Sequence, residues 1–133
     1  TACEPAPCGE GKGGSMGFTR VAVDIANVTD PSRRKTLELL VDTGAIMTVV
    51  PATMLAELGI TPVARRQFKG FGGVSLRRIG GALFTDGGDS SVVPVTFGEA
   101  DDTPVLGVTT LEALGYEVDP VYERLVRVES LLL

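Results

Sequence analysis

Apolar and polar residues alternate in two stretches of the first third of the chain, at positions 21–25 and 37–41. A polar segment at 29–32, Thr-Asp-Pro-Ser, lies between them. Successive side chains of a strand point to opposite faces of a sheet, so a period of two is typical of a strand with one buried face. The two stretches and the turn residues between them predict an antiparallel hairpin.

A second strand-rich block occupies positions 74–84 and 92–97. The segment between them contains Asp-Gly-Gly-Asp at 86–89, and its glycines suit the tight turn of a hairpin. We therefore expect a second hairpin and a fold that is mostly β.

Two short helices are predicted to interrupt the strands. Pro51 suits the first position of a helix, and Gly59 suits the position that ends it. The second helix is predicted from Thr-Thr-Leu-Glu at 109–112, which has the spacing of a capping box in which Thr109 caps the first turn. Gly115 is expected to end that helix.

These patterns occur twice in a related order. Residues 39–44 lead to Leu-Ala-Glu-Leu-Gly at 55–59, and residues 105–107 lead to Leu-Glu-Ala-Leu-Gly at 111–115. Such a repeat indicates two related half-units. The sequence thus predicts an all-β fold with two short helices, closed as a small pseudo-symmetric barrel.

A chain of 133 residues, 44% of them apolar, suffices for one domain with a hydrophobic core. We expect that domain to cover residues 16–133, because residues 1–15 lack periodicity and are typical of a leader, tag or flexible extension. Cys3 and Cys8 both lie in this extension, and whether they pair is left open. Since no apolar run is long enough to span a bilayer and no secretory signal is recognisable, we expect a cytoplasmic protein without a membrane partner.

Composition also restricts the chemistry. The chain has no histidine, which excludes Ser-His-Asp and Cys-His pairs within one chain and histidine metal sites. The net charge of -5 would repel phosphates, so nucleic acid is not an expected partner. Any catalysis must therefore use carboxylates, hydroxyls, lysines or backbone groups.

The strongest chemical signal is Asp42, in Val-Asp-Thr-Gly-Ala at 41–45. The apolar residues 39–41 deliver this acid to the end of a strand that we expect to be buried, where loss of solvent would penalise its charged form. An acid at the end of a buried strand therefore requires a structural or a functional explanation. One structural reason is that Asp42 caps the following turn, as the aspartate of an Asp-Thr-Gly tripeptide often does.

The order of three motifs resembles the retropepsin family of aspartic peptidases. The motifs are Leu-Leu-Val-Asp-Thr-Gly-Ala at 39–45, the glycine-rich stretch at 70–73, and Val-Leu-Gly at 105–107 before a short helix. This resemblance covers residues 18–128, nearly the whole of the expected domain. It implies the family's closed all-β fold and peptide-bond hydrolysis by carboxylates.

The resemblance also implies a role for each matching residue of the first motif. Asp42 matches the catalytic aspartate, and Thr43 matches the residue whose hydroxyl braces the two active-site loops across a dimer. Gly44 matches the position that approaches the substrate backbone. Ala45 matches the alanine typical of the retroviral branch.

The other two motifs match supporting structures. Gly70, Phe71, Gly72 and Gly73 match the tip of the flap that covers the substrate, and a simple loop between strands is the alternative interpretation of this stretch. Gly107 matches the glycine of the turn that supports the active-site loop.

This chemistry requires a second carboxylate within hydrogen-bonding reach, since one acts as a base while its protonated partner polarises the scissile carbonyl. The chain has a single Asp-Thr-Gly, and the following acids are interpreted as solvated turn residues: Asp30, Asp86, Asp101, Asp102 and Asp119. The partner is therefore expected to be Asp42 of an identical subunit. We expect a homodimer that takes a peptide or protein substrate without metal or organic cofactor, with residues 16–21 and 125–133 as candidate seam strands.

Two other interpretations stay open. One is a catalytically silent retropepsin-like module that dimerises or binds peptide. The other is a plain β-barrel interaction module in which Asp42 only caps its turn. The basic clusters at 33–35, 65–66 and 77–78 are expected to be solvated faces, with contact to an acidic substrate or partner as the second interpretation.

Overall fold

The computed structural model describes residues 19–70, 73–119 and 124–127. In chain order the described elements are β1 (Arg20–Ala26), β2 (Arg34–Val41), β3 (Thr48–Pro51), α1 (Ala52–Glu57), β4 (Ala64–Gly70), β5 (Gly73–Asp86), β6 (Asp89–Gly98), β7 (Val105–Leu106), α2 (Val108–Ala113), β8 (Tyr116–Asp119) and β9 (Arg124–Arg127). The expected mostly β fold with two short helices is confirmed.

Several expectations fall on residues outside these ranges. They are the extension at 1–15 with Cys3 and Cys8, the pair Phe71 and Gly72 of the glycine-rich stretch, and the parts of the candidate seam strands at 16–18 and 128–133.

Both predicted hairpins are present. Strands β1 and β2 pair antiparallel with Val23 opposite Leu37, and β5 and β6 pair antiparallel up to Asp86 opposite Asp89. The turn of the second hairpin is formed by Gly87 and Gly88, whose φ angles of 63° and 99° lie in the left-handed region that glycine adopts without a steric penalty.

Seven strands form one sheet in the order β1-β2-β7-β3-β6-β5-β4, and an additional pairing of β1 with β5 makes the sheet ring-like. Strands β8 and β9 form a separate two-stranded sheet. Two of the pairings are parallel: β2 with β7, where Val41 lies opposite Leu106, and β3 with β6. Parallel pairing brings together the ends of strands that are far apart in sequence, and here it places the end of β2 beside the end of β7.

The two copies of the internal repeat agree in their helices and differ in the segments that lead to them. Residues 39–41 end β2, and β3 lies between them and α1, whereas β7 is followed almost directly by α2. Each helix contributes a buried leucine, Leu55 in α1 and Leu111 in α2. Gly59 and Gly115 follow the helices with φ angles of 76° and 83°. The glycine ends predicted from the sequence are therefore confirmed.

The start of α2 differs from the prediction. The helix begins at Val108 after Gly107, and no side chain caps it, so the expected capping box at Thr109 is wrong. The amide groups of Val108 and Thr109 instead donate to the carbonyl groups of Ala45 and Ile46. These carbonyls satisfy two of the free amides of the first turn and so take over the task of a side-chain cap.

The start of α1 is also shifted, by one position. Pro51 is the residue that precedes the helix and ends β3, rather than the first helical residue.

The hydrophobic core is one cluster that draws on most of these elements. Its largest fully buried side chains are Phe84, Ile25, Leu39, Leu55 and Leu106. Full burial of an aliphatic or aromatic side chain of this size contributes about 1.5 to 3 kcal/mol. Leu39 and Leu106 lie in β2 and β7, so the same packing that builds the core holds the strands on either side of Asp42.

The helices in the described ranges are too short to cross a membrane.

Candidate active site

Asp42 follows the last residue of β2, at the point where that strand lies beside β7. Its amide donates to the carbonyl oxygen of Leu106 at 3.1 Å. The chain then turns, because the amide of Ala45 donates to the carbonyl oxygen of Asp42 at 3.0 Å and the amide of Gly44 donates to Asp42 Oδ1 at 2.9 Å. Asp42 thus caps its own turn, which is the contact that the structural interpretation of this motif expects.

The turn carries the Asp42 side chain to the surface of the single chain. Asp42, Thr43 and Gly44 are exposed, and Ala45 is half-buried. The expectation that the end of the strand desolvates Asp42 is therefore wrong for the single chain, although Val41 just before it is buried. In the described part of the chain, Oδ2 of Asp42 and the hydroxyl of Thr43 have no hydrogen-bond partner, and both face solvent.

Gly107 supports this loop by close contact. A Cβ atom at position 107 would lie 2.6 Å from both the carbonyl carbon and the carbonyl oxygen of Met47, and 2.9 Å from the carbonyl oxygen of Ile46. Real Cβ atoms essentially never approach backbone atoms this closely. Glycine is therefore required at position 107 for steric reasons, since its φ of -88° is one that any residue adopts.

Two threonines that the sequence analysis did not single out complete the support. The amide of Gly107 donates to Thr48 Oγ1 at 2.9 Å, and the Thr48 hydroxyl donates to Thr110 Oγ1 at 2.7 Å. Both side chains are fully buried. A buried hydroxyl needs a partner to offset its lost hydration, and these two provide one for each other.

The sequence does contain a signal for the hydrogen-bonded pair of Thr48 and Thr110. Thr48 shares the inward face of β3 with Val50, and Thr110 lies beside the buried Leu111 in α2. A polar residue at an inward position is the kind of exception that predicts a buried hydrogen bond.

The loop at 42–48 and the segment at 106–109 are thus joined along their length. The joining hydrogen bonds are Asp42 N to Leu106 O, Gly107 N to Thr48 Oγ1, Val108 N to Ala45 O, and Thr109 N to Ile46 O. Backbone groups make almost all of these contacts, so the loop is held in place by the fold rather than by mobile side chains. Such support suits a loop whose task is to hold one carboxylate in a defined position.

The glycine-rich stretch lies at the end of the β4–β5 hairpin, where Gly70 and Gly73 are opposite each other. Gly73 has a φ of 105°, which is accessible to glycine and strained for other residues. Val74 and Leu76, near this end of β5, are 60% and 58% exposed.

An ion pair connects this hairpin to the loop that leads into β7. Arg77 in β5 donates through both terminal guanidinium nitrogens, Nη1 and Nη2, to the carboxylate of Asp102, with Nη2 at 3.1 Å from Oδ1. Asp102 Oδ2 also accepts from the amide of Glu99 at 2.7 Å. The hydrogen bonds from Arg77 in the first place, and from Glu99 in addition, hold the pKa of Asp102 below its ordinary value against the opposing effect of burial.

Two acids that the sequence analysis assigned to solvated turns are engaged in the structure. The Asp102 side chain is only 24% exposed and belongs to the ion pair with Arg77. Asp86 accepts a hydrogen bond from the hydroxyl of Tyr116. The turn assignment missed these partners because Arg77 and Tyr116 are far from their acids in sequence. Asp30 and Asp101 are exposed, as expected.

In the parts of the chain that are described, no three His, Cys, Asp or Glu side chains come together in a way that could hold a metal ion. No protein-family model matches the chain, and no curated protein matches it either.

Proposed function

We propose that the chain is one subunit of a retropepsin-like aspartic endopeptidase, in which two copies of Asp42 form the catalytic pair. The observation that supports this most directly is how the rest of the chain holds the Asp42 loop in position. Its carboxylate is exposed, while the loop that carries it is hydrogen-bonded to the β7–α2 segment at Leu106, Gly107, Val108 and Thr109. The hydrogen bonds to Val108 and Thr109 satisfy the first turn of α2, and together with the other two they fix the position of the loop that carries the exposed carboxylate.

In the proposed reaction, one ionised Asp42 takes a proton from a water molecule, whose oxygen attacks the carbonyl carbon of the scissile peptide bond. The protonated Asp42 of the other subunit donates a hydrogen bond to the carbonyl oxygen and stabilises the negative charge that develops there. The C–N bond then breaks as the leaving nitrogen gains a proton from the pair. The reaction needs no metal or organic cofactor.

The second subunit supplies the acid that a single chain lacks. Because Asp42, Thr43 and Gly44 are exposed together, a twofold axis near this turn can place the two carboxylates side by side. In this assembly the hydroxyl of Thr43 braces the two loops, and burial by the partner provides the desolvation that is absent from one chain. The proposal also includes closure of the sheet as a small barrel and a cytoplasmic location of the protein.

A substrate peptide would lie in extended form between the Asp42 turns and the ends of the β4–β5 hairpins. Gly70, Phe71, Gly72 and Gly73 are the proposed flap tip, and Gly44 is the proposed neighbour of the substrate backbone. Main-chain hydrogen bonds supply affinity in this type of binding, and side chains on alternate residues supply specificity.

The first prediction concerns Asp42 itself. Asp42→Asn keeps the turn, because the amide oxygen of asparagine still accepts from Gly44, but it removes the ionisable pair. We expect peptide cleavage to fall to background while the circular dichroism spectrum and melting temperature stay close to those of the wild type. The measurement is digestion of a peptide library by both proteins, read by mass spectrometry.

The main alternative is a module of the same fold that binds peptide without cleaving it. The hydrogen bond from Gly44 to Asp42 Oδ1 favours it, since this contact gives Asp42 a structural role without chemistry. Absence of cleavage by the wild type at any mildly acidic or neutral pH would favour the alternative, and cleavage that survives in Asp42→Asn would remove Asp42 from the mechanism.

A further inference from the structure

The part of the β4–β5 hairpin at residues 64–80 carries only positively charged side chains among its ionisable residues. Residues 64–80 contain five of the chain's 12 Lys and Arg residues and no Asp or Glu, although the whole chain has a net charge of -5. These residues are Arg65, Arg66, Lys69, Arg77 and Arg78. A basic segment in an acidic protein points to an anionic partner.

The register of the hairpin brings its arginines into direct opposition. Arg65 lies opposite Arg78, and Arg66 lies opposite Arg77. Residues directly opposite in an antiparallel pair share one face of the sheet, and like charges at such positions are destabilising. Each face of the hairpin therefore carries a repulsive pair that needs compensation.

The protein compensates only one arginine of each pair. The Arg78 guanidinium lies over the ring of Phe97, 4.9 Å from its centre. Arg77 is paired with Asp102, which chiefly raises the pKa of the guanidinium, and the charges of Glu99 and Asp101 act on it in the same direction. Arg65 and Arg66 are exposed and have no carboxylate partner among the described residues.

The basic cluster at 33–35 shows the opposite behaviour. Arg33 donates to the carbonyl oxygen of Glu57, Arg34 pairs with Asp24 at 2.8 Å, and Lys35 pairs with the carboxylate of Glu57. Arg34 and Lys35 thus have carboxylate partners within the chain, and Arg33 has a carbonyl partner. Arg65 and Arg66 differ from this cluster in that no hydrogen bond or ion pair of their side chains is found among the described residues.

The two faces of the hairpin contact different parts of the protein. Arg66 shares its face with Arg77, which binds Asp102 in the loop between β6 and β7. That loop leads into β7, whose Leu106 carbonyl binds the amide of Asp42. Arg77 thus ties the face that carries Arg66 to the loop that leads into β7, the strand beside Asp42, whereas Arg65 lies on the other face.

We propose that Arg66 is a specificity-determining residue that binds an acidic side chain, Asp or Glu, of a peptide lying between the hairpin and the Asp42 turn. The proposal rests on the proposed function for the identity of the cleft. In this assignment Arg77 and Asp102 form a neutral pair that positions the hairpin, and the substrate carboxylate supplies the counter-charge that Arg66 lacks. A peptide is favoured over nucleic acid because the rest of the chain is acidic and would repel a polyphosphate backbone.

The test uses two fluorescein-labelled peptide pools of equal length that carry either Glu or Gln at alternate fixed positions. Their binding to full-length Asp42→Asn protein is measured by fluorescence polarisation at low salt, so that binding is separated from cleavage. We expect the Glu pool to bind roughly two- to fivefold more tightly than the Gln pool, which is the range for an ion pair at an exposed site.

Arg66→Gln and Arg65→Gln, each added to Asp42→Asn, provide a matched comparison because they remove the same charge from opposite faces of one strand. We expect the preference for Glu to disappear with Arg66→Gln and to persist with Arg65→Gln. Equal loss in both variants, or no preference in the parent protein, would overturn the proposal. A single-stranded oligonucleotide that displaces the Glu pool, with equal dependence on both arginines, would overturn it as well.

The same experiment separates this inference from the proposed function. If the wild type cleaves neither pool while the Arg66-dependent preference holds, the acidic-peptide site stands and the peptidase assignment fails. If the wild type cleaves both pools equally well and the preference is absent, the peptidase assignment stands and the role of Arg66 is refuted.

Discussion

Gly107 shows how one residue far from Asp42 in sequence determines the position of the candidate active-site loop. The backbone at 46–47 lies so close to Gly107 that a Cβ atom there would be 2.6 Å from the Met47 carbonyl. A larger residue would have to push the loop away, and with it the hydrogen bonds that hold Asp42. The contact is between backbone atoms, which cannot move aside as a flexible side chain can.

We predict that Gly107→Ala lowers the free energy of unfolding by about 1 to 3 kcal/mol, the usual cost of overpacking. It should also reduce peptide cleavage in the protein that stays folded. Gly81→Ala is the matched control, since a Cβ atom at position 81 in β5 would meet nothing within 4 Å. Chemical denaturation of both variants measures the effect, and equal stability of the two would refute the proposed contact.

At the scale of secondary-structure elements, the ion pair between Arg77 and Asp102 joins β5 to the loop before β7. Because the pKa of Asp102 is lowered from 3.8 in the folded protein, chiefly by the hydrogen bonds from Arg77, folding favours its ionised form. This contribution to stability is therefore fully present above pH 3.8 and is lost as the pH falls through the lower, folded-state pKa.

We predict that Asp102→Asn costs about 1 to 3 kcal/mol of stability at neutral pH, because it weakens hydrogen bonds to a charged group that is largely shielded from solvent. The difference from the wild type should shrink as the pH is lowered below 3.8. Asp101→Asn, at the exposed neighbouring position, should have little effect. Urea denaturation as a function of pH measures all three proteins, and a difference that is independent of pH would argue against an ionised Asp102 in the pair.

At the scale of the whole molecule, the proposed chemistry needs two subunits, since the chain has one Asp-Thr-Gly. We predict that specific activity rises with protein concentration near the dissociation constant of the dimer, and that sedimentation shows a twofold assembly over the same range. Activity should also be lost at both low and high pH, because one carboxyl of the pair must be ionised while the other is protonated. A strictly monomeric species with full activity would contradict this prediction.

Thr43→Val tests the same assembly at its centre. Thr43 is exposed in the single chain, so the loss of its hydroxyl should leave the stability of the subunit unchanged. If the hydroxyl braces the two loops, the variant should weaken the dimer by roughly 1 to 3 kcal/mol, the cost of a lost buried hydrogen bond. If the dimer affinity and the activity are both unchanged, Thr43 does not brace the loops and serves only as a turn residue.

The amino-acid sequence by itself determined those features whose causes are local. The alternation at 21–25 and 37–41 predicts the first hairpin, and Gly87 and Gly88 predict the turn of the second, because strand periodicity and left-handed glycines act within a few residues. The Asp-Thr-Gly at 42–44 and the glycine at 107 were also recognisable from sequence as candidates, although only as isolated motifs.

Only the tertiary structure decided how these motifs combine. The parallel pairing of β2 with β7 joins residues more than 60 positions apart, and no local pattern encodes that register. The same pairing brings the carbonyls of Ala45 and Ile46 to the first turn of α2, which is why the predicted capping box at Thr109 is not used. Asp102 was likewise assigned to a solvated turn because its partner, Arg77, lies on another strand. Local sequence specifies each element, whereas the contacts that support Asp42 depend on long-range packing that arises only when the chain folds as a whole.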